Sequence, residues 1–171
     1  MAYSQRRMVY APPQQKEEEE PQQETQMSYR DSELFNFYLT QLWNLKTTSK
    51  AKHWTTTGAN FMSVHELYDM IYDFAEEAID EIAENLTSYD FSFRIVTAEI
   101  ASIDNVDEGS ETWLGMLREE FGSMMKIKKS LEVSIEQADE QDLIGLQNIL
   151  EEQMTKLDKI LYFTKQTIGK G

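Results

Sequence analysis

His53 and His65 are the only two histidines in the chain, and both lie close to other potential metal donors. Asp69 follows His65 by four residues, and Glu84 follows Asp80 by four. On an α-helix, residues at that spacing stand one above the other on one face, so each pair can hold a metal ion together. His53 adds a further ligand if the helix that carries it ends beside the start of the next. Imidazole and carboxylate donors with coordination positions left open suit iron(II), manganese(II) or zinc. The chain has no cysteine, which removes disulfides, thiolate zinc sites, iron–sulfur clusters and cysteine nucleophiles. A redox-active or hydrolytic metal is therefore more natural here than a structural zinc.

The segment carrying these residues reads as one helix. At about 100° per residue from Leu67, the apolar Leu67, Ile71, Phe74, Ala75, Ala78 and Ile82 fall within about 340° to 80°. His65, Asp69, Asp80 and Glu84 fall at about 160° to 260°, roughly opposite. For carboxylates alone, a solvated face is the usual explanation. Asp69 and Asp80 are 11 residues apart, about 16 Å along the axis. The two pairs thus share a face yet cannot reach one metal from one chain. A two-fold axis near Phe74 and Ala75 would lay this helix antiparallel against its copy. His65 and Asp69 of one subunit would then meet Asp80 and Glu84 of the other, twice per dimer.

The elements that must hold these residues are helices. All three prolines lie within the first 21 residues of the 171-residue chain. Residues 1–27 are rich in Gln, Glu and Pro and include the run Lys16-Glu17-Glu18-Glu19-Glu20. Such a composition buries too little apolar surface to order itself, so a disordered or extended arm is expected there. From residue 28 to 171 the pattern predicts an all-α four-helix bundle. The first helix is expected from about Asp31 to Thr56 on Leu34, Tyr38, Leu42 and Leu45, with Gly58 as its stop. The second is expected from Ser63, which forms a capping box with Glu66, to about Ser88. The connection from Tyr89 to Gly109 is long, with a short helix expected around Val96 to Ile103. Ser110 is expected to cap a third helix reaching about Gln137, on Leu114, Leu117, Phe121, Met124, Leu131 and Ile135. The fourth is expected from Asp139 nearly to the end, on Leu143, Leu146, Leu150, Leu157 and Leu161.

Composition limits the partners. Hydrophobic residues make up 40% of the chain, enough for a core, and the formal net charge is -15 at pH 7. DNA affinity comes largely from Lys and Arg displacing counterions, so a nucleic-acid partner is disfavoured and cations are favoured. No apolar run spans a bilayer, and the start of the chain lacks the apolar region of a secretion signal. A cytoplasmic protein is expected.

The segment Lys52-His53-Trp54, then Gly58-Ala59-Asn60-Phe61, then His65-Glu66-Leu67-Tyr68-Asp69, then Asp80-Glu81-Ile82-Ala83-Glu84 resembles the signature of the Dps mini-ferritins. That pattern is His-Trp, Gly-x-Asn-Phe, His-Glu-x-x-x-Asp and Asp-x-x-x-Glu. The resemblance is specific over residues 50 to 86, weaker through the last two helices, and does not extend to the arm. It implies a ferritin-like four-helix fold, assembled into a hollow dodecamer. It also implies a ferroxidase site shared by two-fold-related subunits, where iron(II) is oxidised by hydrogen peroxide or oxygen and stored as a ferric mineral, protecting against oxidative damage. By position, His53, His65, Asp69, Asp80 and Glu84 would be both the catalytic and the metal-binding residues, with His53 either a ligand or the holder of a bridging water. Trp54 would be a packing residue beside the site and a radical sink.

Some features depart from that pattern. Many Dps proteins bind DNA through a Lys-rich tail. Here residues 1–30 hold four bases (Arg6, Arg7, Lys16, Arg30) against five acids, so weak or no DNA binding is expected unless divalent cations bridge. Asn85-Leu86-Thr87-Ser88 stands where the family often has Gly-Gly. Asp73 and Glu76 would lie near the two-fold axis and need cations, splayed side chains or solvent. Asp139, Glu140 and Asp142 read as N-terminal charges of the fourth helix, with a three-fold iron pore as the alternative. The nine methionines read as core filling, and Lys126, Lys128 and Lys129 are too few for a DNA footprint. Two other functions stand beside the iron-storing reading. One is a DNA-coating nucleoid protein. The other is a catalytically silent structural or adaptor bundle that binds a partner through its arm.

Overall fold

A computed structural model describes residues 33–58, 60–95 and 113–169. The arm over residues 1–27, the short helix around Val96 to Ile103 and the Ser110 cap lie outside the described residues. Among those described there are four helices: α1 Glu33–Thr55, α2 Phe61–Ser88, α3 Trp113–Glu140 and α4 Ile144–Ile168. There is no strand among them, and none of the helices is long and apolar enough to cross a membrane.

Each helix packs on two neighbours: α1 on α2, α3 on α4, α1 on α3 and α2 on α4. Lys52 at the end of α1 meets Glu120 near the start of α3. At the other end, the Phe35 ring of α1 meets Phe91, just after α2, edge to face. So α2 ends and α3 begins at opposite ends of the bundle, the arrangement with one long crossover. The buried stripe of α2 is the expected one: Leu67, Ile71, Phe74, Ala75, Ala78 and Ile82 face the core. In α4, Leu143, Leu146, Leu150, Leu157 and Leu161 are buried as expected. In α1 the stripe is shifted: Leu34 is exposed, while Phe35 and Leu39 join Tyr38, Leu42 and Leu45 inside. In α3, Leu117, Met124 and Leu131 are buried, with Met116 and Ile127 beside them. Leu114, Phe121 and Ile135 are only half-buried.

Three boundaries differ from expectation. The capping box at Ser63 does not form. Asn60 is the N-cap residue of α2 and makes no side-chain cap bond, and the Ser63 hydroxyl donates to Asn60 O from inside the helix. Helix α3 runs past Gln137 to Glu140, so Asp139 and Glu140 end α3 rather than begin α4. Their reading as N-terminal charges is therefore corrected: they sit at the negative end of a helix dipole. The reason is a turn that lacks glycine. Asp142 takes φ 55°, its N–H donates to Asp139 O, and Leu143 N–H donates to Ala138 O. These two bonds make a Schellman close with Asp in the left-handed position. Helix α2 ends the same way. Asp90 has φ 60°, and the N–H groups of Asp90 and Phe91 donate to Thr87 O and Leu86 O. In both turns the following residue, Phe91 or Leu143, is buried and anchors the chain.

One polar residue ties three helices together. Gln153 of α4 is fully buried. It accepts a hydrogen bond from Tyr38 Oη at 3.1 Å and donates to Ala78 O and Glu81 Oε2, each at 3.3 Å. A buried polar group left unpaired costs about 1–3 kcal/mol. Gln153→Leu strands the Tyr38 hydroxyl and is expected to lower stability by about that amount. Adding Tyr38→Phe should recover part of the loss, as chemical denaturation midpoints will show.

Candidate metal centre

The loop between α1 and α2 is short, and its sharp point is Gly58 at φ 97°. That region is open to glycine and strained for other residues. The loop folds the end of α1 against the start of α2 and brings His53 to His65. Their rings stack with centroids 3.6 Å apart and planes inclined by 26°. His65 Nδ1 lies 3.0 Å from the carbonyl oxygen of His53. Reciprocally, His53 Nδ1 lies 3.2 Å from the carbonyl oxygen of His65. A carbonyl only accepts, so each Nδ1 carries the proton and donates. Each Nε2 is thereby left with a lone pair for a metal. Metal-binding histidines are commonly fixed in this way by their second nitrogen.

Asp69 completes the cluster one turn after His65. Its Oδ1 is 3.0 Å from His53 Nδ1. One ligand atom from each of His53, His65 and Asp69 lies within 4.8 Å of the others, close enough for one ion. His53 is buried, while His65 and Asp69 are half-buried, so the cluster opens at the surface. The fold thus brings together three of the residues singled out in the sequence, His53, His65 and Asp69.

Asp80 and Glu84 do not join this cluster. They lie on the same helix and are exposed, facing away from the core. Trp54 is 71% exposed and Met62 is 61% exposed, so Trp54 is not packed within its own chain. Glu76, near the middle of α2, is held by Lys46 at 3.0 Å and by the Tyr72 hydroxyl at 3.0 Å. Those bonds, the lysine's first, set its carboxyl below the usual range. The repulsion expected between Glu76 and its copy across a two-fold axis thus has a counter-charge within the chain. Asp73 is exposed.

Sequence reasoning missed Lys50. Its ammonium donates to Asp69 Oδ1 at 3.1 Å and lies 4.4 Å from the centre of the Tyr72 ring. One carboxylate oxygen is therefore approached by both Lys50 and His53. The signal was present, since Lys50 precedes His53 by one helical turn and must share its side of α1.

Comparison with known proteins matches the ferritin-like domain family over residues 32–171. Among solved structures, the Dps of Microbacterium arborescens in its high iron form superposes with a TM-score of 0.71 at 21% identity, over 82% of this chain and 93% of that one. The Dps of Thermosynechococcus elongatus superposes with a TM-score of 0.60 at 22% identity, over 83% and 96%. No curated protein matches. The match to the family covers the whole bundle and both histidines, and the chain belongs to the ferritin-like domain family.

Proposed function

We propose that this chain is a Dps-type mini-ferritin that oxidises iron(II) with hydrogen peroxide or oxygen and stores the ferric product, in the cytoplasm, as a dodecamer. The observation that carries this reading is the cluster of His53, His65 and Asp69 within 4.8 Å, with both Nδ1 atoms turned toward backbone carbonyls. Three donors that leave coordination positions open favour a metal that reacts over one that only braces the fold.

Asp80 and Glu84 enter from a second copy. Both are exposed on the face of α2 that carries His65 and Asp69, and neither forms an ion pair among the described residues. The same face leaves Met62 uncovered, with Trp54 exposed beside the cluster. Large apolar side chains grouped in this way mark an interaction surface. An antiparallel copy of α2 covers them and delivers the carboxylates of Asp80 and Glu84 to His65 and Asp69. Trp54 becomes a packing residue, and an electron donor to stray radicals, only in that assembly.

Iron is the substrate, and manganese(II) or zinc fits the same donors. Each iron(II) gives one electron. Hydrogen peroxide takes two and its O–O bond breaks to give two hydroxide ions, so two irons balance one peroxide. The carboxylates favour the ferric product because they offset its extra positive charge. Lys50 sets a cost on entry, since its ammonium holds Asp69 until a metal displaces it. The body's acidity draws cations toward the surface and repels DNA, so DNA coating is not expected.

Rapid growth of ferric absorbance is expected when the iron(II)-loaded protein meets peroxide. His65→Ala with Asp80→Ala should slow it by at least about tenfold. An unchanged rate in that variant sinks the site, and a stable monomer by size-exclusion mass sinks the shared arrangement. Lys50→Met removes a half-exposed competing ion pair worth about 0.2–1 kcal/mol. It is expected to tighten cobalt(II) binding by up to about fivefold in optical titration.

A further inference from the structure

Lys52 stands one residue before His53, but its side chain turns inward to α3. Its ammonium lies 2.6 Å from Glu120 Oε2 and 3.1 Å from Glu119 Oε2. Thr48, one turn earlier on α1, donates to the other Glu120 oxygen at 3.2 Å. Glu120 is 1% exposed, one of the most deeply buried charged groups described. The backbone closes the same turn: Lys52 O accepts from Thr56 N–H at 2.9 Å and from the Thr56 hydroxyl at 2.6 Å. The last turn of α1 is thus gripped from two sides. Glu120 holds it to α3, and the two histidines hold it to α2.

Stability alone is a poor reason for this grip. Burial raises the Glu120 carboxyl above its ordinary range, and Lys52 and Thr48 offset that only in part. Beside them the fully buried Tyr68 hydroxyl has no hydrogen-bond partner among the described residues. A buried ion pair is often no more stable than well-packed apolar residues of the same volume. What it adds is a single direction and distance. Apolar contacts set no preferred direction as hydrogen bonds do, whereas metal ligands must be placed to within about 0.2 Å.

We propose that Lys52 and Glu120 are positioning residues for the metal centre: their buried contact sets where the last turn of α1 lies, and so where His53 presents its Nε2 to the ion. The proposal rests on the metal-site reading above. It assigns a task to a pair that touches neither metal nor oxidant.

The test uses the full-length protein and cobalt(II), whose visible bands report ligand geometry. Lys52→Met with Glu120→Met replaces both charges by apolar groups of similar length. This variant is expected to unfold at or above the wild-type temperature, yet to bind cobalt(II) at least about tenfold more weakly and with shifted bands. Glu120→Gln keeps the shape and an acceptor for Lys52, and should stay within about threefold of wild type. Wild-type affinity and bands in the double variant overturn the proposal. If that variant fails to fold, Lys52→Gln carries the test, because the shorter side chain leaves Glu120 free to take up a proton. At least about threefold weaker binding is then expected, and unchanged binding overturns the proposal. The two readings fail separately. Wild-type protein with no His65-dependent cobalt spectrum defeats the metal site itself. Wild-type binding that His65→Ala abolishes and the Lys52 variants leave unchanged defeats only the positioning role.

Discussion

The reciprocal contact between His53 and His65 is the constraint on which the site depends. Each ring turns its Nδ1 toward the other residue's backbone carbonyl, and the His53 Nδ1 meets Asp69 Oδ1 as well. One arrangement therefore performs two tasks. It brings polar backbone at the end of α1 and within the first turns of α2 against a donor, and it leaves both Nε2 atoms with a lone pair, as the proposed metal site requires. A ring turned over would lose its hydrogen bond and, in the proposed site, its ligand position together. The short loop through Gly58 makes this possible, since a longer connection would let the two helix ends drift apart.

Charge is arranged around that contact in two layers. Outside, Lys50 and Lys46 pair with Asp69 and Glu76 along the α1–α2 surface, with the Tyr72 ring between them. These pairs are partly exposed, so water and salt screen them and a metal ion can compete for their carboxylates. Inside, Lys52 and Glu120 are shielded from water, and their geometry is correspondingly rigid. Opposite sides of one turn of α1 thus carry an exchangeable ion pair at Lys50 and a fixed one at Lys52. The difference follows from burial alone.

Further from the site, the bundle relies on the same economy of polar groups. Gln153 meets a tyrosine hydroxyl, a backbone carbonyl and a carboxylate with the two ends of one side chain. Lys156, one turn later on the outer side of α4, gathers Glu77, Glu81 and Glu152. Together these add directional contacts to the register of α4 against α2 that the packed leucines also define.

Much of this was legible in the order of residues. The helical period of Leu67, Ile71, Phe74 and Ala78 predicted which face of α2 is buried, because period and burial are the same fact on a regular helix. The four-residue spacing of His65 and Asp69 placed two donors together for the same reason. The end of α2 at Ser88 was legible, whereas the break between α3 and α4 was not. Asp90 and Asp142 occupy left-handed positions usually marked by glycine, and only the anchoring of Phe91 and Leu143 in the core selects those turns. The partnership of Lys52 with Glu120 joins residues 68 apart in sequence, and nothing local announces it. Spacing along one helix is written in the chain. Which helix lies alongside, and which charge it buries there, is decided by packing, because that depends on the shape of the whole core.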